Sequence, residues 1–452
     1  MRLAGALLLV VIIATGIYIN SLLPIITGYA AKNLASAVFV SGRDAEQVES
    51  LDLNFYPVRY ATNRVDYAGK SVTSRFLWRS STAVYREGYG VTLLRGDVPD
   101  DWRTQTLQLP EDTSTVTPLP VGDSATCAAL LPIAESFVVK RSYGGHPFAF
   151  VVMHDGAIVA ERYDTGITPS TRLVSWSMAK SFTNALVGIM SADSLVDVHA
   201  PMDVPEWQND DRRNITLHHL MQMQSGLEWK EDYSSRSDVN VMLHCERDMG
   251  LYALSKPLAH APGTYWYYSS GSTNIVMRYL RSRFSSDADF LSYMRTRLFA
   301  PIGIRDAIID CDMAGTPLGS SYLYATATDY ARFGQLFLDD GCVASRRILP
   351  EGWVDYSRTP ASASLNAYGV FFWLNANHFL PEAPADMYSC NGHDGQRIFI
   401  IPSCRLVVVV VGYSPSSTDG IDFNALLRDV IAATTPLHSP VIGGQKSQRS
   451  AV

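Results

Sequence analysis

No run of basic residues occurs in this sequence, and charge of either sign is sparse: 18% of its 452 residues are charged, with a formal net of −7. A mildly acidic chain gains nothing from counterion release on a phosphate backbone, which argues against nucleic-acid binding. The six cysteines (Cys127, Cys245, Cys311, Cys342, Cys390, Cys404) include no CxxC pair, so the spacing of a zinc site is missing and neither a metal nor any other cofactor is expected. Internal repeats are absent as well. Hydrophobic residues make up 47%, enough for a sizeable core and too many for wholesale disorder. The length suits one large domain or two moderate ones.

Charge is missing most conspicuously at the start. After Arg2 none appears until Lys32, and Leu3 to Ile19 is apolar almost throughout. Extended through Ile26, this run is long enough to cross a bilayer as a helix. Residues 1–31 are therefore expected to be a membrane anchor or a signal. Ala35-Ser36-Ala37 has the A-x-A form of a cleavage site, but it lies well past the apolar run with Lys32 between, which favours an uncleaved anchor. Either way the body of the chain is expected in the periplasm or otherwise outside the cytoplasm, and secreted if the segment is cut. Orientation rests on Arg2 and the amino terminus alone. In an oxidising compartment six cysteines allow fifteen full pairings. Cys390 and Cys404, flanking an expected hairpin, are the first candidate pair, and buried free thiols are the alternative.

Residues 32–127 read as an irregular extension without evident chemistry, with one strand near Tyr89–Leu94 and a Pro/Thr/Ser-rich linker over 107–122. A domain is expected over 128–435, and a loose Pro/Gly/Ser/Gln-rich tail over 436–452. Phe148–Met153 and Ala157–Tyr163 flank an Asp-Gly turn, the strongest short hairpin signal. A second hairpin spans Arg397–Ile401 and Leu406–Val411. Helical periodicity marks 177–191, 216–224, 273–284 and 327–339. Hairpins at both ends of a helical middle predict an α+β fold in which the terminal strands share one antiparallel sheet.

The chemistry starts at Ser177-Met178-Ala179-Lys180. Helical positions i and i+3 share a face, so Lys180 can reach the Ser177 hydroxyl. A serine attacks a carbonyl only once a neighbour accepts its proton, and a desolvated lysine can do so. S-x-x-K alone is a weak signal. Of seven lysines, though, only Lys180 has a serine three residues before it, and it opens an apolar helix. His218 and His219 lack an H-E-x-x-H partner and are expected to be structural.

The order of further segments adds to this. Ser177–Lys180 is followed by Ile215–Leu227, then Pro262-Gly263-Thr264-Tyr265-Trp266-Tyr267-Tyr268-Ser269-Ser270, then Gly392-His393-Asp394-Gly395-Gln396. Over about residues 130–430 this resembles the β-lactamase-related serine hydrolases, the superfamily of class C β-lactamases, D-alanyl-D-alanine peptidases, family VIII-type esterases and 6-aminohexanoate-dimer hydrolases. The resemblance implies a β-lactamase/transpeptidase-like fold with a helical subdomain, and Ser177 as the acylated nucleophile with Lys180 as its partner. Tyr268 is similar to the tyrosine of Y-x-N, which relays protons. By the same resemblance the backbone N–H groups of Ser177 and Gln396 form an oxyanion hole, where one donor is worth about 3 kcal/mol. Ser270, His393, Asp394 and Gly395 stand at the substrate-binding positions.

Two residues depart from the pattern. Ser270 replaces the asparagine of Y-x-N, and His393 replaces the lysine of K-T-G, removing a permanent charge that would recognise a substrate carboxylate. Both argue against efficient β-lactam hydrolysis. The expected activity is that of a serine hydrolase on a small ester, linear amide or peptide, nearest the 6-aminohexanoate-dimer hydrolase branch. A cell-wall D-amino-acid peptidase or weak β-lactamase is one alternative; a non-catalytic envelope binding protein on the same fold is another. Oligomeric state is not legible.

Overall fold

The computed structural model describes residues 2–99, 101–109, 117–415 and 419–434. The expected tail 436–452 lies outside the described residues. Helix α1 spans Arg2–Phe39 and is long and apolar enough to cross a membrane. It divides into two halves by burial: Leu7–Ile13 and Ile17–Ile19 are exposed, whereas Leu23, Ala30, Ala31, Leu34 and Ala35 are fully buried.

The buried half lies on a four-stranded antiparallel sheet in the order β1 (Thr62–Asp66), β2 (Ser71–Phe76), β3 (Arg79–Arg86), β4 (Gly90–Leu93). Alanines at 30, 31 and 35 let the strands approach the helix closely. The segment expected to be irregular thus contains a regular meander. Its periodicity is faint because one helix covers one face only, and three buried sheet positions, Ser71, Ser74 and Ser81, are serines. Ser74 donates to Asn63 (2.5 Å), and Ser81 bonds Thr27 of α1 (2.7 Å). The expected boundary at 127/128 falls inside a helix, Ser124–Val138, capped by Asp123.

The main sheet has six antiparallel strands in the order Trp373–Leu374, Tyr388–Asn391, Arg397–Ile401, Leu406–Gly412, β5 (Pro147–His154), β6 (Ala157–Tyr163). Strands from the two ends of the body therefore meet at its centre, as expected of this α+β fold. Asp155 and Gly156 both take positive φ (48° and 78°) in the β5–β6 turn, which suits a tight hairpin. Successive side chains on a strand point to opposite faces. Phe150 and Val152 of β5 pack with Val408 and Val410 against Phe137 and Leu427 of the Ser124–Val138 and Phe423–Thr434 helices. Val151, Val407 and Val409 face the larger helical core on the other side. Both faces are covered, which is why the strand Leu406–Gly412 reads as an unbroken apolar run.

Three of the four expected helices form: Ala179–Ala192, Ser270–Arg281 and Ala327–Leu338. The fourth is only Leu217–Met221, since the chain turns left-handed at Met223 (φ 59°). All six cysteines are free thiols. Cys390 pairs across from Ile398, and the turn carrying Cys404 begins past Ile401, about 10 Å further along the strand. A disulfide spans less than that.

Candidate active site

Residues 175–190 are buried with one exception, Ser177. It sits in a 3-10 turn, Trp176–Met178, that leads directly into the Ala179–Ala192 helix. Trp176 takes a positive φ of 44°, a conformation that costs a bulky residue on the order of 1 kcal/mol or more. Rings hold it there. Tyr29 of α1 stacks on it at 6.4 Å, Tyr322 packs at 5.5 Å, and His393 meets it edge-on at 5.6 Å.

Lys180 is 1% exposed. Its Nζ lies 3.0 Å from Ser177 Oγ and donates to Ser270 Oγ (3.0 Å) and the Ser320 carbonyl (2.9 Å). Burial pulls its pKa down to about 8, while the negative charge of Glu231 pushes the other way. Tyr268 packs against Tyr368 and Trp373, with Lys180 Nζ 5.0 Å from its ring centre. Burial holds its phenol well above the usual range, partly offset by a side-chain hydrogen bond with Ser177. Ser177, Lys180, Tyr268 and Ser270, scattered over 94 positions of sequence, thus converge on one point.

Glu231 escaped sequence reasoning. Its carboxylate accepts from the Ser270 hydroxyl (2.5 Å) and N–H (2.9 Å), from Trp229 Nε1 (2.6 Å) and from the Tyr233 hydroxyl (3.0 Å). The short Ser270 side chain is therefore backed by an anion. The alternating Trp229-x-Glu231-x-Tyr233 was the available signal, but it reads equally well as a polar loop. Arg397 was also missed. It donates to the carbonyls of Gly392 (2.8 Å) and Gln396 (2.7 Å), and burial lowers its pKa to about 10 with Tyr268 opposing.

The 392–396 segment closes the other side. Gly392 passes so near the Ser175 carbonyl that a Cβ there would lie 2.4 Å from its oxygen. His393 is partly exposed, stacks on Tyr233 (5.0 Å) and lies 3.2 Å from the Asp394 carboxylate. Asp394 and Gly395 form the turn with φ of 53° and 86°. The Asp394 side chain is buried and lines a crevice shared with Tyr29, Arg43 and Asp52, behind Trp176. The Gln396 N–H makes only a 3.4 Å contact with the His393 carbonyl, at the edge of hydrogen-bonding range. The Gln396 side-chain amide is committed to the carbonyls of Gly412, His393 and Asp394. His218 bonds the Tyr356 hydroxyl and His219 caps its own helix, both distant from this chemistry in role.

Residues 141–432 match the Beta-lactamase family model. The 6-aminohexanoate-dimer hydrolase of Paenarthrobacter ureafaciens is 27% identical over 296 residues, 59% of this chain and 72% of that protein. Among solved structures, a family VIII carboxylesterase superposes with a TM-score of 0.52 at 15% identity, covering 70% of this chain and 99% of its own. A penicillin-binding protein homologue from Caulobacter crescentus gives 0.52 at 15%, covering 70% and 97%. With nearly two thirds of its length matched by one family model, this chain belongs to the Beta-lactamase family of hydrolases.

Proposed function

We propose that this protein cleaves a small ester or linear amide in two steps through an acyl-enzyme on Ser177. The observation that carries this is the set of bonds around Lys180. The Ser320 carbonyl can only accept, and the Ser270 hydroxyl is committed to donating to Glu231, so both must receive a hydrogen from Lys180. A neutral amine has two hydrogens for these partners, leaving its lone pair directed at Ser177. With a pKa near 8 the neutral form is accessible. The phenol of Tyr268 stays protonated, so Lys180 is the base and Tyr268 the donor.

In the first step the Ser177 oxygen bonds to the substrate carbonyl carbon while its proton passes to Lys180. The N–H groups of Ser177 and Gln396 receive the developing oxyanion. As the carbonyl–leaving-group bond breaks, Tyr268 gives the departing atom a proton and is recharged from Lys180. Water then attacks the acyl-enzyme by the same route, releasing the acid. Ser270, His393, Asp394 and Gly395 line or support the substrate side. Without the cation of a K-T-G lysine, a neutral acyl partner is favoured over a β-lactam carboxylate, and the relative that hydrolyses a 6-aminohexanoate dimer supports the linear-amide reading. A fluorophosphonate probe should label the wild type and spare Ser177→Ala; equal labelling of both would remove Ser177 from this role. A panel of p-nitrophenyl esters, short linear amides, D-Ala-D-Ala peptides and nitrocefin should show turnover on the first two groups.

We also infer that α1 is retained and anchors the protein in a membrane, with the body outside the cytoplasm. Cleavage after Ala37 would remove Lys32, which pairs with the fully buried Asp310, and would strip the cover from the β1–β4 sheet. An isolated buried carboxylate is costly enough to oppose such a cut.

A further inference from the structure

The exposed half of α1 ends at a definite place. Leu3 to Ile19 is 17 residues, about 26 Å of helix, slightly less than the ~30 Å of a bilayer's hydrocarbon core. Asn20 must then lie at the membrane edge. Pro24, one turn on, has no N–H to give to the Asn20 carbonyl. Such an unmet carbonyl is tolerated where water and headgroups reach it, and not in hydrocarbon.

The tip of the β2–β3 hairpin comes to this same residue. Trp78 Nε1 and Arg79 Nε both donate to Asn20 Oδ1 (3.0 and 3.1 Å), yet the Trp78 side chain remains 59% exposed and Leu77 56%. Arg75, paired across from Thr62, brings the start of β1 to this end of the sheet. Tyr60, just before it, is exposed too, with Arg59 5.8 Å above its ring. Tyr18 is exposed two residues inside Asn20. Tyr, Trp and Arg at the end of an apolar helix are the composition of a membrane–water boundary, where amphipathic rings and snorkelling cations are stable.

We propose that this end of the small sheet is a membrane-contact surface: the hairpin tip with Leu77, Trp78 and Arg79, flanked by Arg75, Tyr60 and Tyr18, seats in the phospholipid headgroup layer around α1. It rests on the anchor reading above. Two contacts, helix and hairpin, then fix how the body stands on the bilayer where one helix alone would let it swivel.

The test uses the full chain in phosphatidylcholine–phosphatidylglycerol vesicles. Tryptophan quenching by lipids brominated near the headgroup end of the acyl chain is compared between wild type and Trp78→Phe. Wild type should lose a larger fraction of its emission, and Arg75→Glu with Arg79→Glu should reduce that loss while ester turnover is unchanged. Equal quenching of wild type and Trp78→Phe, in protein that resists alkaline carbonate extraction, overturns the contact but leaves the anchor. Release by carbonate overturns both. Equal quenching with a dimeric mass in nanodiscs assigns the patch to a second copy and overturns the lipid contact.

Discussion

Two lysines of this protein are each 1% exposed, and each lies beside a serine three or four residues away. Lys32 bonds Ser36 (3.2 Å) one turn along, and Lys180 bonds Ser177 (3.0 Å). Their surroundings differ by one group. Lys32 also meets the Asp310 carboxylate, which takes bonds from Ser36 Oγ (2.9 Å) and Val91 N (2.7 Å) as well, and the ammonium sits 4.2 Å over the Tyr322 ring. Lys180 has hydroxyls and a carbonyl but no carboxylate in contact; its nearest anion, Glu231, acts through Ser270. The direct ion pair opposes loss of the Lys32 proton and joins α1 to the body. The indirect one leaves the Lys180 proton exchangeable. Burial alone makes a lysine neither structural nor catalytic; the identity of the nearest acceptor decides.

The comparison can be broken most sharply by exchanging each lysine for methionine. Lys180→Met should cut turnover of p-nitrophenyl butyrate roughly a thousand-fold, the size of a lost general base. Its unfolding free energy in urea should stay within about 1 kcal/mol of wild type. Equal loss of fold and turnover would mean that this lysine is structural like the other. Asp310→Asn should do the reverse, costing about 3–5 kcal/mol of stability by stranding the buried Lys32 charge, with turnover per folded molecule within about twofold. Combining Asp310→Asn with Lys32→Met should recover much of that loss.

A smaller effect sharpens the same point. Only neutral Lys180 accepts a proton, so kcat/KM should rise with pH through a midpoint near 8. The Glu231 charge holds that pKa up; Glu231→Gln removes it, so the limb should move to lower pH, by about one unit or less. A shift to higher pH would show that Glu231 does not act on Lys180 by charge. Smallest is Tyr233→Phe, which removes one of four donors to Glu231 and should move the limb by a few tenths of a unit at most.

Local signals made much of this legible. The Asp155-Gly156 turn and the valine run of Leu406–Gly412 are each written within a dozen residues and appear where they were expected; the S-x-x-K pair is as local, and its two side chains meet at 3.0 Å. Tyr268 and the 392–396 segment became legible only through the order of motifs. What escaped depends on contacts across the fold. Glu231 gains its meaning from Ser270, 39 positions away, and the β1–β4 meander from the helix that packs along it. The polar strands of that sheet carry little alternation of their own, so no short window could reveal them.

Lys32 and Asp310 are 278 positions apart. Synthesis runs from the amino end, so α1 exists long before the carboxylate that its lysine needs. In an anchored chain the outer half of the helix is already lodged while its inner half still waits for Asp310 to follow. The first segment made is therefore among the last to be completed, and the body closes only around a helix that is already in place.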